Sequence, residues 1–263
     1  MKFLVIGDEI RDQYKFCKAT RLCPEACAPV LHVEEQRTSP GGAANVVANL
    51  RSLTDFGSVD DCYGSISTKL RIYADKTLIC RIDDDSTILK DILSDIRILK
   101  DVCKEKYDAI VISDYGKGTF NKYTSDKLFD LFPTIPFFVD SKPSLSPWMK
   151  RAFAIFPNEH EHASPYLDNG KTHVIRKLGH KGCFVNGELV ATVPQHVYDV
   201  SGAGDVFLAA FVWTWVRHPN SDEKRRLHFA AKVANVAAGI SVRHLGTYVV
   251  KREELEQELA ARG

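Results

Sequence analysis

The sequence predicts an α/β chain of three layers, α/β/α, built on a mainly parallel central sheet and carrying a small β-sheet lid. Short β-rich runs alternate with helical patterns through its middle and end, the order expected of parallel strands covered by helices. The strand candidates are continuously apolar, as strands covered on both faces are. Two stretches then break the alternation. The first buried strand is expected at 3–6 and ends at Gly7; others follow at 109–113, 137–140, 154–156 and 173–176. Helical periodicity covers 43–53, 87–104, 203–216 and 223–243, with a last short helix at 252–261. Residues 17–35 mix prolines and cysteines with a strand-like run, and 68–82 alternates like an antiparallel pair turning near Asp75-Lys76. Together they read as a lid, formed by about 15–38 and 68–82 and standing apart from the main sheet; two ordinary edge hairpins are the alternative. No repeat or linker divides the chain, so residues 1–263 are expected to form a single domain.

Composition narrows the function classes. The chain is 44% hydrophobic and 26% charged, with 35 basic against 34 acidic side chains and a formal net charge of +1. A general nucleic-acid binder would show a basic excess, so no nucleic-acid partner is expected. Basic runs such as Lys224-Arg225-Arg226 read as solvated helix faces. No apolar stretch approaches the roughly 20 residues that span a bilayer, and the opening run is too short for an export signal. With seven cysteines in no paired framework, reduced thiols and a cytoplasmic location are the expectation. Cys23 and Cys27 lack a second ligand pair for zinc, and His160, His162, His173 and His180 match no metal-ligand spacing.

The chemistry concentrates in one loop. The chain has no P-loop, because Gly116-Lys117-Gly118-Thr119 lacks the earlier glycine, and it has no dinucleotide Gly-x-Gly-x-x-Gly. Val200-Ser201-Gly202-Ala203-Gly204-Asp205 instead runs small residues straight into an apolar helix. Backbone N–H groups converging at Gly202, Ala203 and Gly204, together with the helix dipole, would make an anion hole suited to a transferring phosphoryl group. Asp205, in the first helical turn beside it, is the candidate base; a loose transition state tolerates a weak one because the proton leaves late. A glycine turn whose aspartate caps the helix fits this loop equally well.

Longer motifs separate those readings. Pro40-Gly41-Gly42-Ala43-Ala44-Asn45 through Leu50 and Asp199-Val200-Ser201-Gly202-Ala203-Gly204-Asp205 resemble the two signatures of the ribokinase-like (PfkB) carbohydrate kinases, in the order that family requires. Within it, the stretches from Gly7 to Tyr14 and from Arg21 to Ala26, Asp114-Tyr115-Gly116-Lys117-Gly118, Asp140-Ser141-Lys142 and Ala234 to Gly239 resemble the heptose 7-phosphate kinases. The resemblance implies a ribokinase-like fold and transfer of the ATP γ-phosphoryl to a sugar hydroxyl, with Asp205 as base. It implies sugar contacts from Asp8, Asp12, Gly41, Gly42, Asn45 and Asp114. Lys69 and Arg71 on the lid, with Lys117 or Lys142, would hold a sugar phosphate. Asn158-Glu159-His160-Glu161 resembles an Asn-x-x-Glu motif, implying Mg²⁺ held near Glu161 through water. Asn158, Lys177, Gly179 and Gly182 would lie on the nucleotide side, with Asn235, Ala238 and Gly246 lining the adenine pocket. A monovalent cation near Asp199 and a homodimer through the lid are also implied.

The sequence departs from that family at three places. Only residues 54–67, with 60–64 as a remnant strand, stand where a strand, helix and strand are usual. A second shortening covers 163–170, where Pro165 and Gly170 disfavour a long helix. Such trimming would leave one sheet edge exposed or covered by a partner subunit. Lys177 stands where threonine is usual. The nucleotidyltransferase domain fused to some heptose kinases is expected to be absent. The most fitting acceptor is O1 of a heptose 7-phosphate. The alternatives are another sugar, sugar acid or nucleoside as acceptor, and a non-catalytic module binding sugar or nucleotide.

Overall fold

The computed structural model of the chain describes residues 1–54, 58–85, 92–96, 107–142, 147–161 and 171–262. Strand β1 (Phe3–Leu22) turns into β2 (Pro29–Gly42), which runs directly into helix α1 (Ala43–Leu53); β3 (Val59–Ala74) and β4 (Thr77–Asp84) follow. Then come β5 (Ala109–Asp114), α2 (Lys122–Leu131), β6 (Phe137–Ser141), β7 (Ala154–Ile155), β8 (His173–Lys177), β9 (Cys183–Val185) and β10 (Glu188–Val190). Helices α3 (Ala203–Arg217), α4 (Glu223–Ser241) and α5 (Arg252–Ala261) complete the described chain. None of the described helices is long and apolar enough to cross a membrane.

The strands form one ten-stranded sheet in the order β10-β9-β8-β7-β6-β5-β1-β3-β4, with β2 pairing β1 to the side. From β8 through β3 every neighbour is parallel. Successive side chains leave opposite faces, so each apolar run feeds two cores. Phe3, Val5, Ala109 and Val111 pack with α1, α3, α4 and Leu255 of α5. Leu4, Ile6, Ile110 and Ile112 pack with Leu128 and Phe129 of α2, Trp148, Ile92 and Ile96. Helices on both faces of a mainly parallel sheet give the expected three-layer α/β fold.

Three details differ from the sequence reading. Strand β1 does not end at Gly7: it continues to Leu22, pairing antiparallel with β2 and parallel with β3. The charged run after Gly7 looks like a strand end locally, but ladder partners from distant segments satisfy its backbone. The lid therefore does not stand apart. It is the outer part of β1 and β3, extended by β2 and β4, with the β3–β4 turn at Asp75-Lys76 as expected. A register shift between Gly7 and Asp8 marks where sheet becomes lid. Only glycine fits there, because a Cβ on Gly7 would stand 2.1 Å from the Ser113 carbonyl oxygen.

The third difference is α2, which the periodicity reading missed; its signal is Asn121, whose side chain accepts the Thr124 N–H at 2.9 Å as an N-cap. The predicted helix at 87–104 lies outside the described residues except at 92–96, which are helical. The shortened segment 163–170 lies outside them entirely. The chain adds β3 on one side of β1, then β5 to β8 on the other. Such a reversal opens a crevice at the carboxyl ends of the strands. Asp114, Asp140 and Lys177 all lie at those ends.

Candidate active site

Helix α3 enters this crevice with its N-terminus. Gly202 is its N-cap at φ 73, and a Cβ there would lie 2.5 Å from Asn45 Nδ2, so both backbone sign and space demand glycine. Of the first-turn N–H groups beyond it, that of Ala203 turns back to the Val200 carbonyl at 3.3 Å, and none has a partner inside the helix. With the helix dipole they give Gly202, Ala203 and Gly204 the character of an anion seat.

Asp205 lies in that first turn, only 2% exposed. Its Oδ2 accepts from Asn45 Nδ2 at 3.1 Å and its Oδ1 from the Tyr115 hydroxyl at 2.8 Å. Burial pushes its carboxyl up to about 6, against the opposing pull of Lys142 and of those two hydrogen bonds. It is not a helix cap, since no side chain caps α3. Asn45 also donates to the Gly202 carbonyl at 3.3 Å. Behind it, Asn49 donates to the Asn45 carbonyl and to Asn45 Oδ1, each at 3.0 Å, and accepts the Val250 N–H at 3.0 Å. This ladder ties α1 to α3 and to the segment entering α5.

A cation cluster stands beside the anion seat. Asp140 at the end of β6 pairs with Lys142 at 3.2 Å and Lys177 at 2.5 Å. Burial would raise the Asp140 carboxyl, but the two ammonium groups hold it below its ordinary value. Burial likewise opposes charge on both lysines. Asp140, Asp205 and Glu161 nonetheless raise Lys142 to about 12, whereas burial wins at Lys177 and lowers it. A Cβ on Gly204 would lie 3.5 Å from Lys177 Nζ, so this charge sits at the mouth of the loop.

On the lid side, Asp12 pairs with Arg71 at 2.5 Å, and Gly41 lies against the Asp12 carboxylate. Gly42 is the N-cap of α1. Asp8 is fully buried, and its oxygens accept from Ser65 Oγ (2.6 Å), Tyr115 N–H (2.6 Å), Lys117 N–H (3.3 Å) and the Thr119 hydroxyl. It therefore pins the 115–119 loop to β1. Asp114 accepts from Gly116 N–H and Ser141 Oγ, and burial pushes it up to about 6. Lys117 pairs with Asp85 at 2.6 Å. Lys69 stands 5.5 Å from the centroid of the Tyr115 ring and, among the described residues, has no ion-pair partner within 4.0 Å.

A cavity of about 530 Å³ opens between the glycine loop and α4. Lys142, Asn158, Lys177 and Gly204 line its polar end, and Gly179, Gly182, Asn235 and Ala238 also border it. Val193, Val197, Phe207 and Val242 supply apolar walls. Asn158 and Glu161 close on each other: Glu161 accepts from Asn158 N–H at 2.8 Å and Asn158 Nδ2 at 2.6 Å. The expectation that Gly246 lines this cavity is not met. Its N–H is bound to Asp199 Oδ2 at 2.8 Å, and Tyr14 packs against its Cα face. Asp199 takes the Ser201 N–H at 2.9 Å on its other oxygen, which makes it the anchor of the glycine loop.

Sequence reasoning passed over Tyr115, Asp140 and Asn49 as site residues. Tyr115 and Asp140 lay inside motifs that were noticed, but only the fold brings them to Asp205 and Lys177. Asn49, one turn after Asn45 on the same helix face, was the readable signal of the ladder.

Comparison with known proteins places this geometry. A family model described as pfkB family carbohydrate kinase matches residues 104–253. The bifunctional protein HldE of Histophilus somni is 28% identical over 315 aligned residues, covering 99% of this chain and 64% of that protein. HldE of Methylobacillus flagellatus is 29% identical over 313, covering 97% and 62%. The chain thus spans 64% or less of these relatives' length, and both alignments exceed its own 263 residues because the relatives carry segments it lacks. Ribokinase from Thermotoga maritima matches the fold with a TM-score of 0.70 at 19% identity, over 98% of this chain and 99% of that one. Phosphofructokinase-2 from Escherichia coli, solved in complex with potassium, gives 0.70 at 15% identity, over 99% and 98%. The fold is ribokinase-like, and since the family match spans more than half of the chain and includes the Gly202–Asp205 loop, the chain belongs to the pfkB family of carbohydrate kinases.

Proposed function

We propose that this chain transfers the γ-phosphoryl group of ATP to a hydroxyl of a phosphorylated sugar, with O1 of a heptose 7-phosphate as acceptor. The observation that carries this reading is the position of Asp205. It sits in the first turn of α3 next to Gly204, which lines the Lys142–Lys177 cavity, and its carboxylate is bonded to Tyr115, whose ring centroid lies 5.5 Å from Lys69 of the lid.

The residues divide the work as follows. The cavity's apolar walls suit a nucleotide base, and its two lysines suit the phosphates. Asp12, held by Arg71 at the lid, offers acceptor oxygens to sugar hydroxyls. Asn45 is fully buried and committed to Gly202, Asp205 and Asn49, so it supports the base instead of meeting the sugar as expected. Lys69, held over Tyr115 without an ion-pair partner among the described residues, supports a phosphate on the acceptor. The acceptor oxygen bonds to the γ-phosphorus as the bond to the β–γ bridging oxygen breaks. The hydroxyl proton passes to Asp205, ADP leaves with the bridging electron pair, and the Gly202–Gly204 amides steady the phosphoryl oxygens.

No group of three or more His, Cys, Asp or Glu side chains converges among the described residues. That fits a Mg²⁺ ion carried mainly by nucleotide phosphates and water, with Glu161 as its outer partner. Such an ion would neutralise phosphate charge during transfer. Each Asp199 oxygen accepts a backbone N–H, from Ser201 and from Gly246, so its role in phosphoryl transfer is to hold the glycine loop. Exposed Leu22, Val33, Leu78, Ile79 and Ile82 on the lid support a second copy of the chain pairing there, which sedimentation would detect.

ADP release measured against a panel of sugars tests the reading. Turnover is expected with heptose 7-phosphate and is abolished in Asp205→Asn, which still binds ATP. Full turnover in that variant would sink the mechanism; ATP binding with no turnover on any sugar would favour the binding module.

A further inference from the structure

The phenol of Tyr115 stands at the centre of the site, and none of the roles above uses it. Its hydroxyl donates to Oδ1 of Asp205 at 2.8 Å, while Asn45 Nδ2 reaches Oδ2 at 3.1 Å. The two donors come from different elements, the loop after β5 and helix α1, so they fix the carboxylate plane from both ends. Tyr115 is itself held. Its N–H donates to Asp8 Oδ2 at 2.6 Å, and the ammonium groups of Lys142 and Lys69 lie 5.2 and 5.5 Å from its ring centroid. A phenol pinned by its backbone and flanked by two cations has little freedom to turn away from Asp205.

We infer that Tyr115 is the positioning residue of the proposed base: its O–H occupies one lone-pair direction of Asp205 Oδ1 and leaves the remaining directions to the acceptor hydroxyl. This rests on Asp205 being the base. Oriented this way, the carboxylate need not find its geometry during each turnover. The phenol bond also favours the charged carboxylate, which burial opposes. The other charged groups facing the pair are Lys142 and Asp140 from the end of β6, Asp12 and Lys69 from the lid strands, and Lys177 behind Asp140. All of them stay in place when only the phenol oxygen is removed.

Tyr115→Phe removes that oxygen and keeps the ring between its lysines. A base must be ionised to act, so losing a donor to the carboxylate moves the acidic limb of kcat/KM upward. A shift of about one pH unit is expected on top of a lower plateau from the lost orientation, so that activity falls about fivefold further at pH 6 than at pH 8.5, because one unit is a tenfold change in proton affinity. The KM for ATP and nucleotide binding should not change. An unmoved limb, or equal loss at every pH, would overturn the positioning role. Replacing the residue at 115 with 3-fluorotyrosine, a stronger donor of the same shape, should move the limb downward; an unmoved limb there overturns the proposal even where Tyr115→Phe folds poorly. Asp205→Asn separates the two levels. If it still turns over, the base assignment fails; if it is inactive while both Tyr115 replacements leave the limb in place, only the positioning role fails.

Discussion

Lys177 Nζ lies 2.5 Å from Oδ2 of Asp140, and Lys142 Nζ lies 3.2 Å from Oδ1, so one buried carboxylate carries two ammonium groups beside the anion seat. The cluster keeps one positive charge in excess where Gly204 opens toward the cavity. Lys177→Met should therefore weaken ATP binding about tenfold, or about 1.4 kcal/mol. Titration with a fluorescent ATP analogue measures this. The KM for the sugar should hardly move.

Removing the carboxylate acts differently. Asp140→Ala leaves the partly exposed Lys142 and the half-buried Lys177 ammonium groups without their counter-charge, which should cost about 1–3 kcal/mol, below the full penalty of breaking a buried pair on one side. The variant's Tm should fall, and ATP should restore much of it by supplying phosphate charge to the same lysines. Thermal melts with and without ATP read both effects.

Asp205 also sets a pH dependence of stability. Its carboxyl titrates at about 6 in the folded chain against an ordinary value of 3.8, because burial disfavours its charge. The folded state holds this proton more tightly, so the contribution is complete below about pH 4 and is lost as pH rises through about 6. Asp205→Asn, which cannot ionise, should gain stability over the parent at pH 8, by on the order of 3 kcal/mol, and little at pH 4. Denaturant melts at the two pH values check the sign.

The Asn45–Asn49 ladder predicts a structural loss with a catalytic echo. Asn49 is fully buried, donates to Asn45 and accepts the Val250 N–H. Asn49→Ala leaves buried polar groups unpaired and should cost about 2–3 kcal/mol. Because Asn45 then loses its support, kcat should fall while the KM for ATP stays near the parent value.

Much of this protein is written locally. The apolar runs at 3–6, 109–113 and 137–140 became the paired β1, β5 and β6 because uninterrupted apolar side chains are stable only when covered on both faces. The glycine loop before α3 and the Gly41-Gly42 entry to α1 were legible because positive φ and close backbone approach leave few residue choices. What the tertiary structure decided is contact across long sequence separation. The continuation of β1 past Gly7 depends on partners in β2 and β3. The Tyr115–Asp205 bond joins residues 90 positions apart, and the Lys177–Asp140 pair joins residues 37 apart. Gly246 turned toward Asp199 instead of the cavity. Periodicity reports which face of an element is buried. Which polar group meets which other one depends on strand order, and strand order is set by long-range packing.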